Sequence, residues 1–311
     1  MMRVVFMGTP DFAASHLHVL VENDHNVVAV FSQKDRPRGR GMVVEETPAK
    51  KAARSIGLKV FQPQNVNDDA VIELLRSLNP DVIITVAFGK LLKKRVLELP
   101  RFGCFNVHAS LLPKYRGAAP IQRALMNGEK VTGVTIFKMD EGMDSGPIAL
   151  SRRLPVQEFE TFGSLSSRLC TLGCQALMEF MDMLRSEEFS LFPQDHSKAT
   201  TAPKISKKDR HISRFDDAHL VCNRIRAFDP APGAFALLDG TELKLFNSGV
   251  ISDSVEGVPG EIVSITKQGM LIACERGALL TKEVQLPGKK KIGPWEAKSG
   301  RLIQEHRVLG G

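Results

Sequence analysis

The sequence predicts an α/β chain in two domains: a doubly wound, Rossmann-like domain on a mostly parallel sheet, then a small C-terminal β-barrel of the OB type. Three observations predict it. Strand-like and helix-like segments alternate through the first half, the pattern that builds parallel sheets with helices on both faces. The last third instead strings short strands between turn residues, as small barrels do. At 311 residues the chain is also too long for one ordinary core. The expected divisions are residues 1–189 for the first domain, 190–206 for a linker and 207–311 for the barrel.

The elements follow in chain order. Arg3, Val4, Val5, Phe6 and Met7 make the first strand, and Asp11 stands as N-cap of a helix over 12–21. Residues 27–31 are continuously apolar, as a strand buried on both faces requires. Thr47 before Pro48 reads as a helix start with proline in the first turn. A strand at 59–61, a helix at 69–78, a strand at 82–86, a short helix within 91–97 and a strand at 104–107 continue the alternation. Ala118 is expected to open a helix, and a strand is expected at 148–152. A long helix over 162–184 carries Leu165, Leu169, Leu172, Leu177, Phe180 and Leu184 near helical spacing, a core stripe. Residues 187–207 are a polar connector. A helix at 217–227 and the turn Asp229-Pro230-Ala231-Pro232-Gly233 precede strands at 234–238, 243–250, 260–265, 269–274 and 278–284.

Composition narrows the function. Apolar content of 43% with 25% charged residues is that of a globular protein. No apolar run approaches the ~20 residues that span a bilayer, so no membrane partner is expected. The chain reaches its first strand at once, leaving no room for a targeting segment, and a cytoplasmic location is expected. A monomer is expected. The cysteines Cys104, Cys170, Cys174, Cys222 and Cys274 are scattered and odd in number, giving no disulfide framework. Cys170 and Cys174 fall one turn apart on a helix, but no His or Cys cluster stands near them in sequence. They read as reduced thiols, and no zinc site and no metal are expected. Gly8-Thr9-Pro10 sits where a Rossmann phosphate loop would be, with one glycine and a proline that removes a donor, which argues against a dinucleotide. The net charge of +7 permits an anionic partner.

Residues 104–146 concentrate the chemistry. Asn106 and His108 alternate along a strand and project from one face. They lie at its carboxyl end, where open sheets place their sites. With Asp144 they supply an amide, an imidazole and a carboxylate, enough to run an acyl transfer without a metal or a covalent intermediate.

The pattern Asn106-x-His108, the turn Ser110-Leu111-Leu112-Pro113 with Arg116 beyond it, and Asp140-x-Gly142-x-Asp144-x-Gly146 resemble the N-formyltransferases that use 10-formyltetrahydrofolate. The resemblance implies that Asn106 and His108 orient the formyl group and its oxyanion, and that Asp144, ahead of Asp140, positions the reactants and transfers a proton. Whether His108 is a base or only a donor stays open. Ser110, Leu111, Leu112 and Pro113 match the folate-contacting turn, and Phe88 and Gly89 resemble the other wall of the folate slot. The formyl donor implied is 10-formyltetrahydrofolate, as co-substrate.

Members of this family differ in acceptor. Gln33-Lys34-Asp35-Arg36-Pro37-Arg38-Gly39-Arg40-Gly41 resembles an insertion loop of those that formylate methionyl-tRNA, with Arg40 at the position of the arginine that enters the acceptor stem. Arg36, Arg38 and Arg40 suit phosphates and the terminal base pair. The extra C-terminal domain, with Lys289, Lys290 and Lys291, points the same way. Methionyl initiator tRNA is therefore the expected partner. The alternatives are a sugar-nucleotide N-formyltransferase and a catalytically silent RNA-binding protein on the same scaffold. One departure bears on the barrel: His211-Ile212-Ser213-Arg214-Phe215 lacks the tryptophan many relatives carry there.

Overall fold

The computed structural model describes residues 1–38, 43–251 and 255–310. It divides into two compact units: Met1–Pro120 with Val131–Pro155 and Ser166–Pro203, and Ile121–Lys130 with Val156–Leu165 and Lys204–Gly311. Among the described residues no helix is long and apolar enough to cross a membrane.

The first unit runs β1 (Arg3–Gly8), α1 (Asp11–Glu22), β2 (Asn26–Phe31), β3 (Arg36–Arg38), β4 (Val43–Glu45), α2 (Pro48–Ser55), β5 (Val60–Phe61), α3 (Asp69–Leu78), β6 (Val82–Val86), α4 (Lys94–Leu97) and β7 (Gly103–His108). Next in this unit come β8 (Val131–Lys138), β9 (Ile148–Pro155) and, from Ser166 on, α6 (Phe162–Ser186), whereas α5 (Pro120–Met126) belongs from Ile121 to the second unit. The main sheet has seven strands in the order β5-β2-β1-β6-β7-β8-β9. Pairing is parallel from β5 to β7 and antiparallel from β7 to β9. The mostly parallel α/β sheet expected from the alternation is present, extended by an antiparallel edge.

Packing explains the elements. Val4, Val5, Phe6 and Met7 are fully buried, because β1 lies between β2 and β6 with both faces covered. A Cβ on Gly8 would come 2.6 Å from the Ala13 Cβ and 2.7 Å from the Phe6 ring, so glycine is what lets α1 close onto the strand end. Pro10, not Asp11, occupies the N-cap of α1, and Asp11 is its first residue. Asp11 still carries negative charge at the positive end of the helix. At α2 the reading from sequence holds: the Thr47 hydroxyl accepts from the Lys50 amide, with Pro48 in the first turn. The α6 stripe is core, with Leu165, Leu169, Leu177, Phe180 and Leu184 fully buried. Strands β3, β4 and β8 were not anticipated, and α5 begins at Pro120 rather than Ala118.

The second unit holds α7 (Lys207–Arg210), α8 (Ala218–Ala227), β10 (Ala234–Leu238), β11 (Thr241–Ile251), β12 (Ile262–Thr266), β13 (Gly269–Ala273), β14 (Ala278–Gln285), α9 (Pro294–Ser299) and β15 (Leu309–Gly310). Its antiparallel sheet has the order β12-β13-β14-β11-β10-β15. The sheet curls until its ends meet: the Ile262 amide donates to the Arg307 carbonyl at 2.9 Å and the Leu309 amide to the Gly260 carbonyl at 2.8 Å. The result is an OB-like barrel in which β15 adds a strand to the five expected. Asp217 caps α8 by accepting from the His219 and Leu220 amides.

Candidate active site

The carboxyl ends of β6 and β7 lie side by side in the sheet, and the turns that leave them carry the candidate residues. His108 ends β7 and is 6% exposed. Its ring stands edge-on to Phe137 of β8, and its Nε2–H donates to the Tyr115 carbonyl at 2.9 Å. That bond assigns the Nε2 proton and turns Nδ1 toward Asp144, whose Oδ2 is 3.6 Å away.

Asp144 sits in the β8–β9 loop with φ of 51°, a left-handed conformation that aspartate tolerates better than most residues. Two contacts hold it there. Its Oδ2 accepts from the Gly117 amide at 2.7 Å, and its own carbonyl accepts from Gln194 Nε2 at 2.9 Å. Gly117 has φ of 122°, and a Cβ there would come 2.8 Å from the Ala202 carbonyl. Asp140 is turned to local work, accepting from the Gly142 amide and the Ser145 hydroxyl.

Asn106 lies two residues before His108 on β7, so its amide emerges on the same face. The residue is half-buried, and its side chain makes no hydrogen bond to another described residue. An unengaged amide beside a buried imidazole and a half-buried carboxylate is a donor available to an incoming oxygen.

The two turns expected to wall a folate slot behave differently. In the 110–113 turn the Ser110 side chain is fully buried and donates to the Lys114 carbonyl at 2.7 Å, so its hydroxyl closes the turn. The Leu112 amide donates to Thr135 Oγ1 at 3.1 Å, and the Leu112–Pro113 peptide is cis. Leu111 and Pro113 are half-buried. In the 86–89 turn, Ala87 and Gly89 have φ of 45° and 73°. The Phe88 ring packs in the core with Val66, Leu92 and Val96, while its carbonyl accepts from Gln33 Nε2 at 2.8 Å. What this wall presents is therefore backbone and Ala87 rather than an aromatic face.

Three contributors were not legible as site residues. Gln194, 6% exposed, donates to the carbonyls of Asp144 and Gly146 and accepts from Arg116. Thr135 ties the Ser110 carbonyl to the Leu112 amide. Thr200 accepts from the Tyr115 amide at 2.9 Å, beside the backbone bridge between Arg116 and Thr201. Residues 192–202, read as connector, thus hold the loop that presents Tyr115 and Gly117.

Of the basic residues, Arg36 is exposed with its guanidinium on Gln33. Only the backbone of Arg38 is described, at the end of β3, and Arg40 lies outside the described residues. Lys289 and Lys290 are exposed in the turn after β14. Lys291 lies 3.5 Å over the Phe246 ring and 3.6 Å from Asp229.

Comparison with known proteins bears on the whole chain. Residues 2–181 match the model of the formyl transferase family and residues 204–301 that of the formyl transferase C-terminal domain. A methionyl-tRNA formyltransferase of Kosmotoga olearia is 56% identical over 311 residues, covering 100% of both chains. One of Thermotoga maritima is 49% identical over 98% of this chain and 97% of its own. Among solved structures, WlaRD, a sugar 3N-formyl transferase, superposes with a TM-score of 0.69 at 17% identity, covering 93% of this chain and 99% of its own. HypX from Aquifex aeolicus, in complex with tetrahydrofolic acid, gives 0.67 at 21% identity over 96% of this chain and 46% of its own. These two likenesses are of fold.

Proposed function

This chain belongs to the formyl transferase family, and from that premise we propose that Asn106, His108 and Asp144 move a formyl group from 10-formyltetrahydrofolate to the amino group of methionyl initiator tRNA. The acceptor follows from full-length identity to methionyl-tRNA formyltransferases. The family draws its formyl group from formyl-tetrahydrofolate, and the 10-formyl isomer is the reading of the motif. One observation carries the chemistry: a buried His108 facing a half-buried Asp144 stands beside an Asn106 side-chain amide that no described residue occupies.

The reaction needs three things from these residues. As the amine attacks, charge grows on the formyl oxygen, and the Asn106 amide donates to it. The amine must shed a proton, and the His108–Asp144 pair takes it. The same pair returns a proton to the departing nitrogen. His108 acts through Nδ1, because its Nε2–H is spent on the Tyr115 carbonyl. The folate, held as co-substrate, supplies an activated formyl group. Its flat ring would lie between the 86–89 and 110–113 turns, against the backbone of Phe88 and Gly89 and the side chains of Leu111, Leu112 and Pro113. Ser110 would shape that turn from within. Arg36, Arg38, Arg40, Lys289 and Lys290 would meet tRNA phosphates and the acceptor end, whereas Lys291, stacked on Phe246 and facing Asp229, would not. The place of action is the cytoplasm, and the acting species a monomer.

A formylation assay offering methionyl initiator tRNA, methionyl elongator tRNA and an amino sugar nucleotide tests the reading. Transfer to the first, with little to the second and none to the third, is expected. Transfer to the sugar alone, or to nothing despite tRNA binding, would replace it with one of the two alternatives.

A further inference from the structure

The first unit places His16 of α1 against Cys170 and Cys174 of α6, with all three donor atoms within 4.8 Å of one another. The histidine is fully buried and stacks on Phe12 with ring centroids 4.8 Å apart. Its Nδ1–H donates to the Phe12 carbonyl at 2.7 Å, which leaves a lone pair on Nε2. That Nε2 is buried and has no hydrogen-bond partner. Buried polar nitrogens are seldom left so, and this one faces two sulfurs. Gly173 makes the approach possible: a Cβ there would come 2.6 Å from Nε2.

We propose that His16, Cys170 and Cys174 bind a thiophilic metal ion of closed d shell, with Zn²⁺ as the representative ion. The donors are one imidazole nitrogen and two sulfurs, the set such ions prefer. Bond lengths of about 2.3 Å to sulfur and about 2.0 Å to nitrogen would require the three donors, now within 4.8 Å of one another, to close around the ion. Both cysteines are half-buried, so the ion has a path from solvent and room for water as a fourth ligand. On binding, each thiol releases its proton to solvent and each sulfur donates a pair to the metal. A disulfide between the two cysteines would leave Nε2 unanswered.

The position defines the role. The same Cβ on Gly173 would be 3.6 Å from the Val107 side chain, which points away from its neighbours Asn106 and His108 along β7. The ion would staple α1 to α6 behind the catalytic strand and touch no reacting atom. It therefore stabilises the unit without entering the chemistry.

Titration of the reduced full-length protein with Co²⁺ tests this. One equivalent should produce a sulfur-to-cobalt charge-transfer band with tetrahedral ligand-field bands, and Zn²⁺ should abolish both. Zn²⁺ should also raise the unfolding midpoint and protect Cys170 and Cys174 from alkylation, mapped by mass spectrometry on the unmutated chain. Cys170→Ser and Cys174→Ser should each weaken Zn²⁺ at least tenfold while leaving formyl transfer unchanged. Absence of the charge-transfer band, its persistence in the double serine variant, or alkylation unaffected by Zn²⁺ would each overturn the proposal. Loss of both thiols on exposure to air, with no response to metal, would assign the pair to a disulfide instead.

Discussion

Asp144 is asked to do two jobs, and substitutions separate them. Its carboxylate accepts from the Gly117 amide and faces His108 Nδ1, so Asp144→Ala removes both a loop tie and the proton carrier. We expect kcat to fall about 10²–10⁴-fold, the usual worth of a general acid–base group, with nearly unchanged tRNA affinity. Asp144→Asn keeps an acceptor for Gly117 but cannot carry the proton. A similar loss in kcat with a wild-type unfolding midpoint would place the effect in chemistry, whereas near-wild-type turnover of the asparagine variant would refute proton transfer by Asp144. Gln194 is the positioning counterpart. Gln194→Leu leaves the carbonyls of Asp144 and Gly146 and the Arg116 guanidinium without this partner, at about 1–3 kcal/mol for each buried group stranded. Thermal unfolding should shift down, and kcat should fall less than in the Asp144 variants. Unchanged stability and kcat together would mean that Gln194 does not hold the loop.

Elements built from uninterrupted apolar runs were legible in the sequence, and those built to fit around neighbours were not. Residues 82–86 and 69–78 coincide with β6 and α3, because Val82 to Val86 is one buried run and α3 keeps Ile72 and Leu75 inward. Strand β8 escaped notice because Thr132, Gly133 and Thr135 interrupt its apolar run. Two of them have a local reason: a Cβ on Gly133 would meet the Arg152 carbonyl at 2.1 Å, and Thr135 ties down the Ser110 turn. At the candidate site, Asn106, His108 and Asp144 are the residues the motif proposes. Gln194 was hidden in a polar stretch, and His16 stood far from the cysteines that only the fold brings to it. Caps give element-scale tests. Thr47 is hydrogen-bonded to both the Lys50 amide and, at 2.6 Å, the Ser32 hydroxyl, so Thr47→Ala should cost about 1–2 kcal/mol in denaturant unfolding. At α7, burial raises the Asp209 pKa, but Arg123 and the Ser206 capping bonds outweigh it and hold the carboxyl at about 2. The unfolded value is about 3.9, so the folded chain binds fewer protons between the two. This stabilisation is complete above about pH 4 and is lost as pH falls toward about 2. Asp209→Asn should flatten that part of the stability–pH curve, and an unaltered acid limb would show that the pairing contributes nothing.

At the scale of the whole molecule, the net charge of +7 has consequences only where cations are free to leave their neighbours for phosphates. Lys289 and Lys290 meet that condition, being exposed in a turn. Lys291 does not, since it stacks on Phe246 and faces Asp229. The three lysines look equivalent in sequence yet should separate in experiment. Each cation that neutralises a phosphate releases counterions and adds about 0.9 to the slope of log affinity against log salt. Lys289→Ala with Lys290→Ala should lower that slope by about 1–2 and raise KM for tRNA, with kcat at saturating tRNA unchanged. Lys291→Ala should instead lower the unfolding midpoint, because it removes a cation from an aromatic face and strips Asp229 of a partner. Binding isotherms at several salt concentrations, beside thermal melts, distinguish these effects. Identical slopes for the wild type and the double variant would remove this turn from the tRNA interface and leave the Arg36–Arg38 strand and Arg40 as its remaining candidates.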